Sequence, residues 1–222
     1  MREVGLASRL SADLIAAYYG RELPLRAKGR LLDLGCGKVP LYAAYKDVVS
    51  ECVCVDWENT AHRNPYLDRE CDLTQPLPFA DGSFDTIVLS DVLEHIPTPE
   101  ALCREISRVL APSGTLILNV PFYYWLHEEP HDYYRFTQYA LRRFIDLAGL
   151  RLVMLEATGG SPELLADVLA KNLVRVPLVG KPLAVFVQWA TLRFISTRLG
   201  RKVSRSTSRV FPFGYFLIAE RP

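Results

Sequence analysis

"LLDLGCGKVP", residues 31 to 40, joins an apolar run to two glycines and then to a proline. An apolar run that stops at such a turn reads as a buried strand feeding a helix, because Gly35 and Gly37 remove side chains where the chain must bend sharply. Such a turn also lets backbone amides approach a ligand closely. Alone, it is equally compatible with a tight turn that binds nothing. The next apolar run, "ECVCV" at 51 to 55, ends in Asp56. That is about twenty residues on, where a carboxylate accepts the hydroxyls of a ribose. Turn and acid together point to a nucleoside.

Further strands are predicted at 84 to 89 ("FDTIVL"), 114 to 120 ("GTLILNV"), 151 to 156 ("RLVMLE") and 214 to 219 ("GYFLIA"). Helical patterns fall between them near 98 to 110 and 137 to 148, the second ending at Gly149. Strands alternating with helices define a doubly wound α/β fold with a mainly parallel sheet. With 222 residues, half of them apolar, the chain has the size of a single domain, 1 to 222, led by a helical segment over 1 to 27.

The net charge of +1 argues against whole-protein attraction to nucleic acid. Five cysteines without a CxxC pair suggest neither a disulfide framework nor a zinc knuckle. Asp13 interrupts what would be the apolar region of a signal peptide, and the longest charge-free stretch near the C-terminus runs only from Pro182 to Leu192. A cytoplasmic protein is the expectation.

The dinucleotide fingerprint needs a third glycine, and Pro40 stands in its place, which disfavours an oxidoreductase. The run from Cys71 to Pro121, "CDLTQPLPFADGSFDTIVLSDVLEHIPTPEALCREISRVLAPSGTLILNVP", instead resembles the class I S-adenosylmethionine-dependent methyltransferases, particularly those of ubiquinone and menaquinone biosynthesis. The resemblance covers about residues 28 to 156 and the last strand. It implies a Rossmann-like, seven-stranded sheet with its last strand antiparallel. It implies S-adenosylmethionine as cofactor, with Asp33, Gly35 and Gly37 at its amino-acid end and Asp56 on the ribose. Asp72 and Leu73 would lie by the adenine, Ser90 and Asp91 near the methionine end, and His95 on the substrate side. One departure stands out: the family's DxGxGxG becomes Asp33-Leu-Gly-Cys-Gly-Lys-Val39, without the last glycine.

After the predicted fifth-position strand comes "PFYYWLHEEPHDYYRFT", which resembles a signature, HExPHDYxRFT, found at this place in the family. It reads as a lid over the acceptor. His131 is its best base, with Asp132 or Glu128 orienting the imidazole, and His95 a second catalytic candidate. Tyr123, Tyr124 and Trp125 would form flat walls, while His127 and Arg135 would bind the acceptor. His127, Glu128, Glu129 and His131 could converge on a metal, but no HExxH helix or cysteine supports one, and none is expected.

Residues 157 to 213 form an insertion before the last strand, and long insertions are usually functional. From Val168 to Ala219 there are nine lysines and arginines and no acid, which leaves −8 on the remainder. Within it, "KPLAVFVQWATLRFI" is apolar nearly all round as a helix, so burial is expected. Its host would be the substrate cover, a second subunit, or an anionic membrane surface reached through 168 to 210. The reading is a methyltransferase acting at oxygen on a small or lipid-linked acceptor. The alternative is a cofactor-binding interaction module without catalysis.

Overall fold

A computed structural model describes residues 5 to 57 and 66 to 222. The chain divides into two compact units. One runs from Tyr19 to Pro121, Trp125 to Glu156 and Phe216 to Pro222; the other takes the chain up to Tyr18, Phe122 to Tyr124, and Ala157 to Tyr215.

The strands are β1 (Arg30–Leu34), β2 (Glu51–Asp56), β3 (Arg69–Glu70), β4 (Phe84–Ser90), β5 (Leu110–Pro121), β6 (Arg151–Ala157) and β7 (Gly214–Glu220). They form one sheet in the order β3-β2-β1-β4-β5-β7-β6. β1 pairs in parallel with β2 on one side and with β4 on the other, and β4 pairs in parallel with β5. β7 runs antiparallel, since the Ser113 amide near the start of β5 donates to the Arg221 carbonyl while the Phe122 amide just beyond its end donates to Phe213. Leu31, Leu32 and Leu34 of β1, Ile87, Val88 and Leu89 of β4, and Leu116 to Leu118 of β5 are all buried. These apolar runs, interrupted in β1 by Asp33, follow from a sheet covered on both faces.

The helices are α1 (Arg9–Arg26), α2 (Tyr42–Tyr45), α3 (Pro99–Val109), α4 (Gln138–Leu147), α5 (Ser161–Leu173), α6 (Gly180–Ile195) and α7 (Arg198–Thr207). In α3 the buried Leu102, Cys103, Ile106 and Val109 recur at helical spacing on one face. α4 starts where the Thr137 hydroxyl accepts from the Ala140 amide, and it ends at Gly149, whose φ of +70° suits glycine. β5 begins four residues earlier than the apolar pattern suggests, because Leu110 is already paired with Phe84. The two-residue β3 is exposed and carries no apolar signal.

In the second unit, Gly160 lets α5 approach α7 closely: a Cβ there would stand 2.3 Å from the Ser204 carbonyl oxygen. The buried Glu163 accepts from the Gly160 amide and the Ser204 hydroxyl. α6 departs from expectation. It is not buried all round; its covered stripe is Gly180, Ala184 and Gln188, while Phe186 and Trp189 are 59% and 53% exposed. Small residues four apart let this stripe approach closely, and the Gln188 amide anchors it by accepting from the Leu10 amide and donating to the Leu6 carbonyl. The apolar residues thus go outward. Lys171 belongs to the interior rather than to the basic surface: it pairs with Asp167 at 2.5 Å and sits 3.4 Å over the Tyr124 ring. No helix among the described residues is long and apolar enough to cross a membrane.

Candidate active site

β1 has a neighbour on each side from opposite winding directions, so its carboxyl end is the switch point where ligands of such sheets bind. The turn at this end is built on backbone conformation. Gly35 and Gly37 have φ of +68° and +50°, and the Gly35 and Cys36 amides both donate to the Val55 carbonyl of β2. Val39 also lies at φ +52°, at the position where the family carries its last glycine. The left-handed backbone is kept without the glycine, at a strain of roughly 1 to 3 kcal/mol. Burial of the Val39 side chain, worth about as much as the strain costs, offsets it.

Asp33 is buried in β1, and its carboxylate accepts from the Tyr45 hydroxyl at 2.7 Å. Burial pushes its pKa up to about 7, with the Tyr45 bond pulling only partly back. Asp56 closes the loop from β2, accepting from the Gly37 amide at 3.1 Å and from the Trp57 amide at 2.9 Å. Asp72 lies exposed after β3, holding a turn through the Thr74 amide and hydroxyl, next to the buried Leu73. Ser90 ends β4 opposite Asn119, and Asp91 follows at φ +51°.

Two partners here carry no sequence motif. The fully buried Tyr19 of α1 donates to the Asn119 carboxamide, which in turn donates to the Asp91 carboxylate at 2.7 Å. Tyr45 supports Asp33 in the same way. An aromatic hydroxyl at an otherwise apolar helical position is the signal that would have found either.

The segment after β5 returns to the turn that follows β4. His95 donates from Nδ1 to the His131 carbonyl at 2.9 Å, and the Tyr133 and Tyr134 amides donate to the Glu94 carbonyl. Arg135 grips Asp132 with two nitrogens at 2.6 and 2.8 Å. Although burial raises it, this grip and the His127 amide hold the Asp132 pKa at about 2. The His131 ring stands edge-on to Trp57 at 5.2 Å, with Nδ1 3.1 Å from the Tyr133 hydroxyl. His131 therefore neighbours the residue that follows Asp56. The His127 and His95 rings meet edge to face at 4.7 Å. Trp125 is 41% exposed, and its carbonyl accepts from Arg135. Tyr123 and Tyr124 fall in the second unit, where the Tyr124 hydroxyl bonds to that of Ser8.

Sheet order and switch point define the fold of the class I S-adenosylmethionine-dependent methyltransferases. Residues 32–118 match the methyltransferase domain family. It is 35% identical over 109 residues to 27-O-demethylrifamycin SV methyltransferase of Amycolatopsis mediterranei (strain S699), covering 44% of this chain and 40% of the relative. It is 29% identical over 103 residues to a ubiquinone biosynthesis O-methyltransferase of Xanthomonas euvesicatoria pv. vesicatoria (strain 85-10), covering 42% and 43%. The chain thus spans less than half the length of these relatives. An S-adenosylmethionine-dependent methyltransferase from Archaeoglobus fulgidus shares the fold at a TM-score of 0.62 and 17% identity, over 94% of this chain and 93% of that one.

The site residues fit the cofactor: a buried acid, with no cation against it among the described residues, stands beside two left-handed glycines and a second acid on the next strand. A carboxyl group raised from 3.8 to about 7 makes the folded chain hold a proton that the unfolded chain releases. Stability of the cofactor-free protein should therefore fall as pH rises from about 4 to about 7 through this group. Asp33→Asn should remove that slope and stabilise the empty protein above pH 7, by a ceiling of about 4 kcal/mol. Urea melts of both proteins across this range check it; parallel profiles would contradict it.

Proposed function

We propose that the protein transfers a methyl group from S-adenosylmethionine to an oxygen of a small or lipid-linked acceptor. The observation that carries this is the pairing of the Gly35–Gly37 turn with Asp56 at the switch point, inside a segment that matches the methyltransferase domain family. In this reading Asp33, Gly35 and Gly37 hold the amino-acid end of the cofactor, Asp56 accepts the ribose hydroxyls, and Asp72 and Leu73 lie by the adenine. Ser90 and Asp91 hold the methionine end. Once bound, the cofactor supplies an electrophilic methyl on a sulfonium that is its own leaving group.

The chain's residues then position the acceptor, exclude water and take its proton, and orientation alone lowers such barriers by several kcal/mol. His131 takes the acceptor's proton, and His95 acts as a positioning residue by holding the His131 carbonyl. Trp125 supplies flat apolar surface, and His127 and Arg135 flank the acceptor. The oxygen acceptor is supported by the names of the two relatives, both of which carry the methyl to oxygen.

The lipid-linked acceptor rests on α6 and α7. Phe186 and Trp189 are exposed on α6, and Arg198, Arg201, Lys202, Arg205 and Arg209 line one cleft along α7. Apolar insertion beside a basic rim is the chemistry of binding to an anionic lipid surface.

Asp56→Ala should weaken S-adenosylmethionine binding by about 1.5 to 3 kcal/mol for each charged hydrogen bond lost. Calorimetry reads this directly; unchanged affinity in a folded variant refutes the ribose assignment, and no binding by the native protein refutes the function. His131→Ala should leave cofactor affinity intact and slow transfer to a phenolic acceptor by about 10²- to 10⁴-fold. Transfer at the native rate would reduce His131 to part of the lid.

Sedimentation with phosphatidylglycerol vesicles should capture the protein at low salt and release it as salt rises, because exposed charges are screened within roughly 8 to 10 Å. Equal binding to phosphatidylcholine vesicles, or none to either, would refute the membrane reading.

A further inference from the structure

The turn after β4 contains a group that methyl transfer does not use. Glu94 is fully buried, and among the described residues both of its carboxylate oxygens lack a hydrogen-bond partner. Nε2 of His95 is also buried without one. Glu94 Oε1 faces two imidazoles, lying 3.8 Å from His95 Nε2 and 3.9 Å from His127 Nε2. One donor atom from each of these three residues falls within 4.8 Å of the others. A carboxylate taken out of water without a compensating group is costly, and neither histidine reaches it as a hydrogen-bond donor at these distances.

The remaining nitrogens are arranged as metal-bound histidines arrange them. His95 donates its Nδ1 proton to the His131 carbonyl, which leaves Nε2 with a lone pair. His127 Nδ1 lies 3.3 Å from the Trp125 carbonyl and 3.4 Å from the Asp132 carboxylate, both acceptors only. Its Nε2 is thereby also left as the lone-pair nitrogen, facing Glu94. Asp132 is in turn fixed by Arg135. A carboxylate or carbonyl behind each imidazole sets the tautomer that a cation requires.

We propose that Glu94, His95 and His127 bind a divalent transition ion of the Zn²⁺ class, which pins the segment after β5 onto the turn after β4. Tetrahedral Zn²⁺ with bonds of ~2.0 to 2.1 Å places its donor atoms about 3.3 to 3.4 Å apart, so the present separations of 3.8 and 3.9 Å close by about half an ångström. Two imidazoles and a carboxylate suit zinc, whereas Mg²⁺ and Ca²⁺ want oxygen alone. Glu128, with Oε2 3.9 Å from His95 Nε2, supplies the fourth ligand and brings the site to neutrality. The set differs from one confined to residues 127 to 131, because the His131 ring is turned to Trp57 and Tyr133.

The test uses the full chain stripped by a chelator and dialysed, with no cofactor or acceptor present, so its outcome is independent of methyl transfer. Zn²⁺ titrated against a chromophoric indicator should bind at one ion per chain, and Co²⁺ should give the intense visible absorption of a four-coordinate nitrogen and oxygen site. Glu94→Gln and His127→Asn should each weaken binding by at least about 100-fold, and Glu128→Gln by about 10-fold, whereas His131→Ala should leave it unchanged. Amide exchange across residues 125 to 136 should slow when Zn²⁺ is added to the native protein. No uptake by the stripped native protein, or native affinity in folded Glu94→Gln and His127→Asn variants, would overturn the proposal. The native titration and exchange decide the matter even if one variant fails to fold.

Discussion

The turn at Gly35 constrains the rest of the site. Its φ of +68° is left-handed, and a Cβ there would lie 2.5 Å from Val92 Cγ2, so both conformation and space demand glycine. Because Val92 follows Asp91, this close approach presses the end of β1 against the loop that leaves β4. Amides at 35 and 36 bind the turn to β2 on the other side. Asp33, Asp56 and Asp91 are thereby gathered at one edge of the sheet by a single backbone bend. Val39 shows that the bend outranks the residue type, since a β-branched side chain is held at φ +52° to continue it.

The strands were legible because their runs are mostly apolar, as burial demands in β1, β4 and β7, and β1, β2, β4, β6 and β7 match the runs read from the sequence to within a residue. The start of β5 was not, because Leu110 is held by pairing with Phe84, a partner distant in sequence. The two residues of β3 are exposed and give no pattern to find. For α6 the apolar composition was read correctly and its consequence was not. Which face is covered depends on the small stripe of Gly180 and Ala184 and on the reach of Gln188 to Leu6 and Leu10, a long-range contact that periodicity does not encode.

At the candidate site, the residues with chemistry were visible and the residues holding them were not. Asp33 and Asp91 stand in recognisable motifs, but Tyr45 and the Tyr19–Asn119 relay come from outside them. Glu94 was visible as a letter between Leu93 and His95, yet its complete burial arises only when the segment after β5 covers it. Burial turns an ordinary surface acid into a group that needs compensation.

That covering segment is fastened through backbone as much as through side chains. The Tyr133 and Tyr134 amides end on the Glu94 carbonyl, the His131 carbonyl ends on His95, and Tyr134 donates from its hydroxyl to the Pro97 carbonyl. The Arg135–Asp132 pair stiffens the segment internally and fixes the His127 amide to the Asp132 carboxylate. The backbone from His131 to Tyr134 is thereby fixed by main-chain bonds, with Asp132 and Tyr134 held further through their carboxylate and hydroxyl. Any change in the turn after β4 is transmitted to His131 through a main-chain bond, so the position of the proposed base is set by the same turn that carries Asp91.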